Sequence, residues 1–484
     1  MTEVRSRFAP SPTGYMHIGN LRTALYEYLV AKSAGGKFIL RIEDTDRERY
    51  IDGAVDIIYQ TMKTVGLQHD EGPDVGGKFG PYVQSERRAI YKEYADKLVE
   101  LGGAHYCFCS EEDLENQRKA CEDAGIPFKF HDPCKRIGLN EAKERIAAGE
   151  KYTVRQTIDP KGTTTFDDCV YGRVVVENKT LDEGILLKSD GLPTYNFANV
   201  VDDHLMHITH VLRGNEYLSS TPKYNLMYQA FGWEIPTYVH LPPIMKDEHN
   251  KLSKRNGDAS FQDLVAKGYL PEAIVNYIVL LGWSAKNDEE IFSMEQLEKI
   301  FNIEGINKSP AIFDIEKLKW MNGVYIRALP PEKFHALALP YYEKALKRTV
   351  DLETLSKCVQ PRVNVLNEIP EAIDFIDELP KYDIEMYVHK KMKTTLEIAL
   401  KSLEEAQKTL ENMTDFSSME AVHEALLTVP AKLEMKNGQF LWPLRTALTG
   451  KQCTPLGAVE AVYLFGRDES LKRVAKGIEK LKNA

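Results

Sequence analysis

Apolar positions near the start of the chain first run together and then fall into a helical period. Val4 to Ala9 reads as a short strand. From Asn20, the residues Leu21, Ala24, Leu25, Tyr28 and Leu29 recur on one helical face, and Gly35-Gly36 stops that helix. Phe38 to Ile42 then reads as a mostly buried strand. Strand, helix and strand at this spacing predict a parallel pair joined by a right-handed crossover. The loop before the helix, APSPTGYMHIGNLRTA, therefore lies at the carboxyl end of the first strand, where open α/β sheets bind ligands.

Further along, the pattern becomes irregular. The stretch 91–190 carries Cys107, Cys109, Cys121 and Cys134, followed by β-rich, glycine-punctuated sequence (TTTFDDCVYGRVVVENKT). The α/β pattern is expected to resume at Gly184 to Leu187 and again at Ile208 to Arg213. From about residue 260 onward the chain reads as helical. Its clearest seam is Met392, Leu396, Ala399, Leu403, Ala406 and Leu410, alternating spacings of four and three. That seam is core and nothing more. The pattern predicts a split α/β unit at 1–90 and 191–250, an inserted α+β unit at 91–190, a connecting region at 251–330 and an all-α region at 331–484.

Composition narrows the class without choosing a function. A chain of 484 residues has room for about three domains. Hydrophobic residues at 43% and charged residues at 28% are those of an ordinary soluble protein. MTEVRSRFAP lacks a basic segment followed by an apolar one, and no 18-residue apolar run occurs, so neither export nor membrane spanning is expected. Seven scattered cysteines fit a reducing cytoplasm better than a disulfide framework. The 62 Lys and Arg against 72 Asp and Glu, a net −10, exclude a general polyanion glue but leave local basic faces free to bind nucleic acid. Internal repeats and low-complexity segments are absent.

Three stretches compete as phosphate sites. GPDVGGKF, Gly72 to Phe79, has the glycine spacing of a P-loop, but Phe79 stands where the magnesium-binding hydroxyl belongs, so it reads as a surface loop. In the opening loop, backbone amides at a helix N-terminus favour phosphate, and Gly14 and Gly19 permit close approach. His17 there can donate to an α-phosphate as charge builds. KLSKRNG, Lys251 to Gly257, lies in a polar stretch without apolar period and is expected to be a mobile exposed loop. Lys251 and Lys254 in such a loop can stabilise β- and γ-phosphates by charge placement. Taken singly, a lone histidine is usually structural and a KxxK run is usually solvated.

Taken together, His-Ile-Gly-Asn after the first strand and Lys-Leu-Ser-Lys-Arg some 230 residues later resemble the HIGH and KMSKS signatures of class I aminoacyl-tRNA synthetases. RFAPSPTGYMHIG, LRIEDTDRERY, DEGPDVGGKFGPYVQSER, LLKSDGLPTYNFANVVDDHLM, VLRGNEYLSSTPK, KLSKR and WMNGVYIR resemble, in order from residue 7 to 327, the motif series of the bacterial glutamyl-tRNA synthetases. The helical C-terminal third is similar to that family's anticodon-binding region. The resemblance implies a Rossmann-type catalytic domain, an acceptor-stem-binding insertion, a stem-contact region and a helical anticodon-binding region. It implies ATP-dependent activation of L-glutamate, with Mg²⁺, and transfer to the terminal adenosine of tRNA(Glu).

The same resemblance assigns residues. Arg7, Ala9, Ser11, Glu43, Tyr195, Asn199 and Arg213 are the implied glutamate contacts. Guanidinium is also the best grip for a side-chain carboxylate on physical grounds, and Glu43 suits an ammonium. Thr13, Gly14, His17, Gly19, Asn20, Lys251, Ser253 and Lys254 are the implied ATP contacts, with His17, Lys251 and Lys254 catalytic. Arg362 in QPRVNVLNEIPE and Arg445 in WPLRTALTG are anticodon candidates. Cys107, Cys109 and Cys134 resemble a zinc knuckle of some members. Its fourth position is here Arg136, which cannot ligate, leaving His131, Cys121 or solvent. A cytoplasmic monomer is the default expectation. Rival readings are a form that also charges tRNA(Gln), a glutaminyl-tRNA synthetase, a shorter base-modifying paralogue and a silent tRNA-binding module. The helical C-terminal third and the two-arginine pocket disfavour the second and third, and the full signature set disfavours the last.

Overall fold

The computed structural model describes residues 3–46, 48–126, 128–252 and 260–483. Two compact units emerge, Met1–Leu264 with Ile274–Asp314, and Val265–Ala273 with Ile315–Ala484.

The first unit opens with β1 (Arg5–Phe8), α1 (Ile18–Ser33) and β2 (Lys37–Leu40), with β1 and β2 parallel and Arg7 opposite Ile39. The predicted crossover is therefore present. Helix α1 starts two residues earlier than the pattern suggested, because His17 caps it: its Nδ1 accepts the Gly19 amide at 3.0 Å. A Cβ at Gly19 would meet that ring nitrogen at 3.2 Å, so glycine accommodates the capping ring. At the other end, Gly36 packs where a Cβ would sit 2.1 Å from the Val4 carbonyl oxygen. Only glycine lets the helix turn this tightly back onto β1.

After α2 (Ala54–Thr64) and α3 (Arg88–Glu100) come β3 (Ala104–Cys107), α4 (Glu111–Asp123), α5 (Leu139–Ala147), β4 (Thr153–Gln156), β5 (Thr163–Asp168), β6 (Gly172–Glu177) and β7 (Ile185–Leu187). Then follow α6 (Tyr195–Leu205), β8 (His210–Gly214), α7 (Thr221–Phe231), β9 (Thr237–Leu241) and β10 (Ile244–Met245). The expectation that the α/β pattern resumes at Gly184 to Leu187 is corrected: β7 is not in the sheet of β8 and β9 but pairs antiparallel with β4, in a sheet ordered β3-β4-β7. A three-residue apolar run does not carry enough period to name its partner. Conversely, the β5–β6 hairpin joins the strands of the α/β unit, in the order β6-β5-β9-β8, with β8 and β9 parallel and Asp168 opposite Tyr238. Strand β8 stands next to β1, since the Thr209 amide donates to the Arg5 carbonyl at 2.9 Å. The chain continues with α8 (Phe261–Ala266) and α9 (Pro271–Leu280), each divided between the two units, and with α10 (Met294–Ile300) and β11 (Ala311–Ile312) in the first.

The GPDVGGKF stretch is a glycine turn, with the Gly72 and Gly76 amides and carbonyls exchanging bonds at 2.8 and 3.0 Å, and no helix follows it directly. Phe79 packs under the Arg5 guanidinium, 4.9 Å from its ring centre. The P-loop reading is thereby excluded.

The second unit is helical: α11 (Ile315–Ala328), α12 (Pro331–Ala345), α13 (Leu352–Val359), α14 (Ile369–Ile373), α15 (Leu396–Asn412), α16 (Met419–Lys432), α17 (Asn437–Thr449) and α18 (Ala458–Lys482). Ala399, Leu403, Ala406 and Leu410 of the predicted seam are fully buried on α15, in one continuous core. Its first two members are not: Met392 and Leu396 are exposed, because Thr395 caps the helix and Met392 falls in the turn before it.

Candidate active site

The carboxyl ends of β1, β2 and β8 open into one cavity of about 670 Å³. Of the residues predicted from sequence, Arg7, Ala9, Ser11, Thr13, Asn20, Glu43, Tyr195 and Arg213 line it. The opening loop is stitched in place: the Pro10 carbonyl accepts the Glu43 amide at 3.0 Å and the Pro12 carbonyl accepts the Ile51 amide at 3.0 Å. Gly14 has φ of +102°, a conformation L side chains rarely adopt. Asn199 does not line the cavity; it is buried one helical turn from Tyr195 and donates Nδ2 to the Tyr195 carbonyl at 2.7 Å.

The two arginines differ in electrostatic character. Arg7 donates Nε to Asp203 at 2.9 Å and Nη1 to Glu27 at 2.8 Å, so its charge is balanced within the protein. Burial works to lower its pKa, but the two carboxylates outweigh that and raise it. Arg213 makes no salt bridge with any described carboxylate. Its Nε donates to His240 Nε2 at 3.2 Å and its Nη2 to Thr221 Oγ1 at 2.8 Å, and the rings of Tyr217, Tyr224 and Tyr238 surround it at 4.7–5.3 Å. A buried cation with no salt bridge among the described residues, opening on a cavity, is complementary to an anion.

Glu43 is one of four acidic residues lining the cavity, with Glu27, Asp46 and Glu216. Arg41 Nη2 holds Glu43 at 3.0 Å, and Arg41 Nη1 reaches Asp203 at 2.7 Å. Burial pushes the Glu43 carboxyl up, opposed by Arg41 and Arg7. Asp203 is held below its ordinary value, because Arg7 and Arg41 outweigh the opposing burial. Gln84 and Arg87 extend the network to Asp202, at 2.9 and 2.7 Å. Sequence reasoning missed Glu27, Arg41, Asp202 and Asp203. The adjacent pair VVDDH on an otherwise apolar helical face was the available signal.

On the nucleotide side, the Nδ1 of His17 is occupied by the Gly19 amide, so the imidazole carries its proton on Nε2 when neutral. Neither His17 nor Lys251 lines the cavity. Lys251 is exposed and bridges to Met245, closing a tight turn in which Asp247 accepts the His249 and Asn250 amides at 2.9 Å each. Of the expected exposed loop, the described part up to Leu252 includes a turn, for which Asp247 supplies the acceptor, and Lys251 is exposed. Ser253 and Lys254 lie outside the described residues.

The class I tRNA synthetase (E and Q) catalytic-domain model matches residues 3–320, and an anticodon-binding-domain model matches 333–478. A glutamate–tRNA ligase of Clostridium botulinum is 60% identical over 480 residues, 99% of each chain. The chain belongs to the glutamate–tRNA ligase family. A glutamate–tRNA ligase of Clostridium tetani is 57% identical over 481 residues, covering 99% of this chain and 98% of that protein. Among solved structures, a glutamate tRNA ligase of Elizabethkingia meningosepticum in complex with its amino acid superposes with a TM-score of 0.85. It is 33% identical and covers 99% of this chain and all of that one.

Two further clusters in this glutamate–tRNA ligase family member bear on its predicted sites. The ligand atoms of Cys107, Cys109, Asp132 and Cys134 all lie within 4.8 Å of one another. His131 is exposed and neither it nor Cys121 joins them; the fourth member of the cluster is Asp132. Asp132 caps the turn Pro133–Arg136 by accepting the Cys134 amide at 2.8 Å, which turns its carboxylate toward the thiols. Burial pushes the Cys107 thiol up to about 11, with Asp132 adding to it. In the second unit, Arg362 and Arg445 line one cavity of about 550 Å³ together with Lys451. Burial lowers the Arg445 pKa, and Arg362 contributes in the same direction. No helix of the described residues is long and apolar enough to cross a membrane.

Proposed function

We propose that the chain joins L-glutamate to tRNA(Glu) in two steps. The glutamate α-carboxylate attacks the α-phosphorus of ATP, forming glutamyl-adenylate and releasing pyrophosphate. The terminal adenosine hydroxyl of the tRNA then takes the acyl group and releases AMP. The observation that carries this reading is the buried Arg213 guanidinium, without a carboxylate of its own, lining the same cavity as Glu43. That pairing suits a substrate with a side-chain anion and an ammonium group. Arg7 supplements Arg213, and Ala9, Ser11, Tyr195 and Asn199 shape the pocket. An amide side chain would leave the Arg213 charge uncompensated, which disfavours glutamine as substrate.

His17 and the opening-loop amides other than those of Met16 and Gly19, which are given to Gln262 and His17, would stabilise charge on the α-phosphate, while Lys251, Ser253 and Lys254 would hold the departing pyrophosphate. Mg²⁺ arrives with the nucleotide and neutralises part of its triphosphate charge. No covalent nucleophile is required. Three thiols and a carboxylate in one cluster fit tetrahedral zinc, which would act structurally, tying β3 to the turn at Pro133–Arg136. We assign residues 91–190 to the acceptor end of the tRNA, 251–330 to its stem, and the Arg362 and Arg445 cavity to an anticodon base. We take the protein to act in the cytoplasm as a monomer.

Glutamate-dependent ATP–pyrophosphate exchange, with and without tRNA, tests the reading: exchange in at least one condition is expected, and none in either would overturn it. Charging purified tRNA(Glu) and tRNA(Gln) side by side then measures discrimination. Charging of the first alone is expected.

A further inference from the structure

The grip on Arg213 continues two residues deeper than the cavity. His240, on β9, accepts the Arg213 Nε–H at its Nε2, and its Nδ1 donates to Asp168 Oδ2 at 2.6 Å. The side chains of His240 and Asp168 are fully buried. Asp168 is itself fixed, since the His240 amide donates to Oδ2 at 3.1 Å, and the Val170 and Tyr171 amides donate to Oδ1 at 2.9 and 2.8 Å. With its proton committed to Asp168, His240 turns a lone pair at Nε2 toward Arg213, and Thr221 Oγ1 lies 3.2 Å from the same nitrogen. Burial lowers the His240 pKa and Arg213 adds to that, against the opposing hydrogen bond to Asp168.

This arrangement solves a specific problem. A carboxylate placed directly on Arg213 would orient it but also neutralise it, as Glu27 and Asp203 do for Arg7. A neutral imidazole orients the guanidinium and leaves its charge for the ligand. Thr221 Oγ1 takes one Nη2 hydrogen, and no described group accepts from Nη1.

We propose that His240 and Asp168 are positioning residues that aim Arg213 at the side-chain carboxylate of the amino acid. The proposal rests on the glutamate reading above. It adds that Asp168, contributed by a hairpin from the inserted part of the sequence, selects the imidazole tautomer and so sets the affinity of the glutamate pocket.

The test is ATP–pyrophosphate exchange by the full-length protein with tRNA present, varying glutamate and ATP separately. His240→Asn keeps a donor near Asp168 but removes the acceptor for Arg213. His240→Gln reaches the Nε2 position and keeps an acceptor. Asp168→Asn can donate to Nδ1, which turns Nε2 into an N–H facing Arg213, the wrong tautomer. His240→Asn and Asp168→Asn are expected to raise the KM for glutamate about 10- to 100-fold, the size of a hydrogen bond to a charged group. The KM for ATP stays within about twofold, and His240→Gln stays within about fivefold for glutamate. Equal glutamate KM values for the Asn and Gln variants, or KM values for ATP and glutamate that rise together, would overturn the positioning role. If His240→Asn does not fold, Asp168→Asn against His240→Gln carries the same contrast.

Arg213→Met separates the two levels. A parental glutamate KM in that variant removes Arg213 from the pocket, and both readings fall. Loss in Arg213→Met with parental values in His240→Asn and Asp168→Asn sinks the positioning proposal alone.

Discussion

Two carboxylates bind the same guanidinium, Arg7, yet the structure gives them opposite roles in stability. Asp203 Oδ1 accepts from both Arg7 and Arg41, at 2.9 and 2.7 Å, with all three side chains buried. Asp203→Asn keeps the shape but removes the charge, leaving two buried cations under-compensated. Breaking a buried pair in this way costs about 3–5 kcal/mol. Glu27, by contrast, has one oxygen on Arg7 at 2.8 Å and the other without a partner. Burial raises its pKa well above the ordinary carboxyl value, against the pull of Arg7. Glu27→Gln retains an acceptor for Arg7 and sheds a penalised charge, so its net effect at neutral pH is within about 1 kcal/mol.

Calorimetry of the full-length variants reads this difference. The melting temperature should fall by on the order of 10 °C for Asp203→Asn and by a few degrees at most for Glu27→Gln. The pH dependences also run in opposite directions. The Asp203 contribution is present above its unfolded pKa of about 3.9 and is lost as pH falls through its depressed folded value. The Glu27 contribution is full below about 4.3 and is lost as pH rises through its raised folded value, so Glu27→Gln gains on the parent protein as pH rises. Equal shifts for the two variants, or a larger one for Glu27→Gln, would refute this division of roles.

Three other outcomes follow from the geometry. Lys254→Ala is expected to lower kcat for glutamate activation about 10²–10³-fold, and exchange at the parental rate would remove KLSKR from the chemistry. Gly36→Ala forces a Cβ against the Val4 carbonyl oxygen and should destabilise by at least about 1–3 kcal/mol, read as a shifted denaturant midpoint with unchanged slope. Titration with a thiol-reactive mercurial and a zinc indicator should release one zinc per chain, and Cys109→Ser should abolish that release. Parental zinc content in Cys109→Ser would mean the metal, if bound, sits elsewhere.

Much of the first unit was legible because its signals are local. A strand, an amphipathic helix and a buried strand each declare themselves within a dozen residues, and β1, α1 and β2 lie where the apolar period put them. The helix start was misplaced by two residues because His17 caps it in a position where Ser, Thr, Asp or Asn is the usual signal. Strand partners were less accessible. The run Ile185–Leu187 is compatible with either sheet, and which one it joins depends on contacts far away in sequence. The site was legible where a motif carried it, as at Glu43 and Arg213. It was illegible where charges are hidden inside an apolar period, as at Asp202 and Asp203 on α6 or Glu27 on α1. Asp132 was missed for a related reason: counting ligand spacing overlooks a capping residue whose own turn swings it inward.

The pairing of β3 with β4 has a practical consequence for dissecting this protein. Cys107 sits opposite Thr153 in antiparallel register, so the excursion through residues 108–152 leaves and re-enters the fold at neighbouring points. Helices α4 and α5 lie wholly within that excursion, whereas β5 and β6 lie beyond it and belong to the α/β sheet. A graft that exchanges this module between relatives has its natural seams at 107 and 153. A cut placed instead at 91 and 190, where the sequence pattern changes, would tear an edge from the sheet that the remaining protein needs.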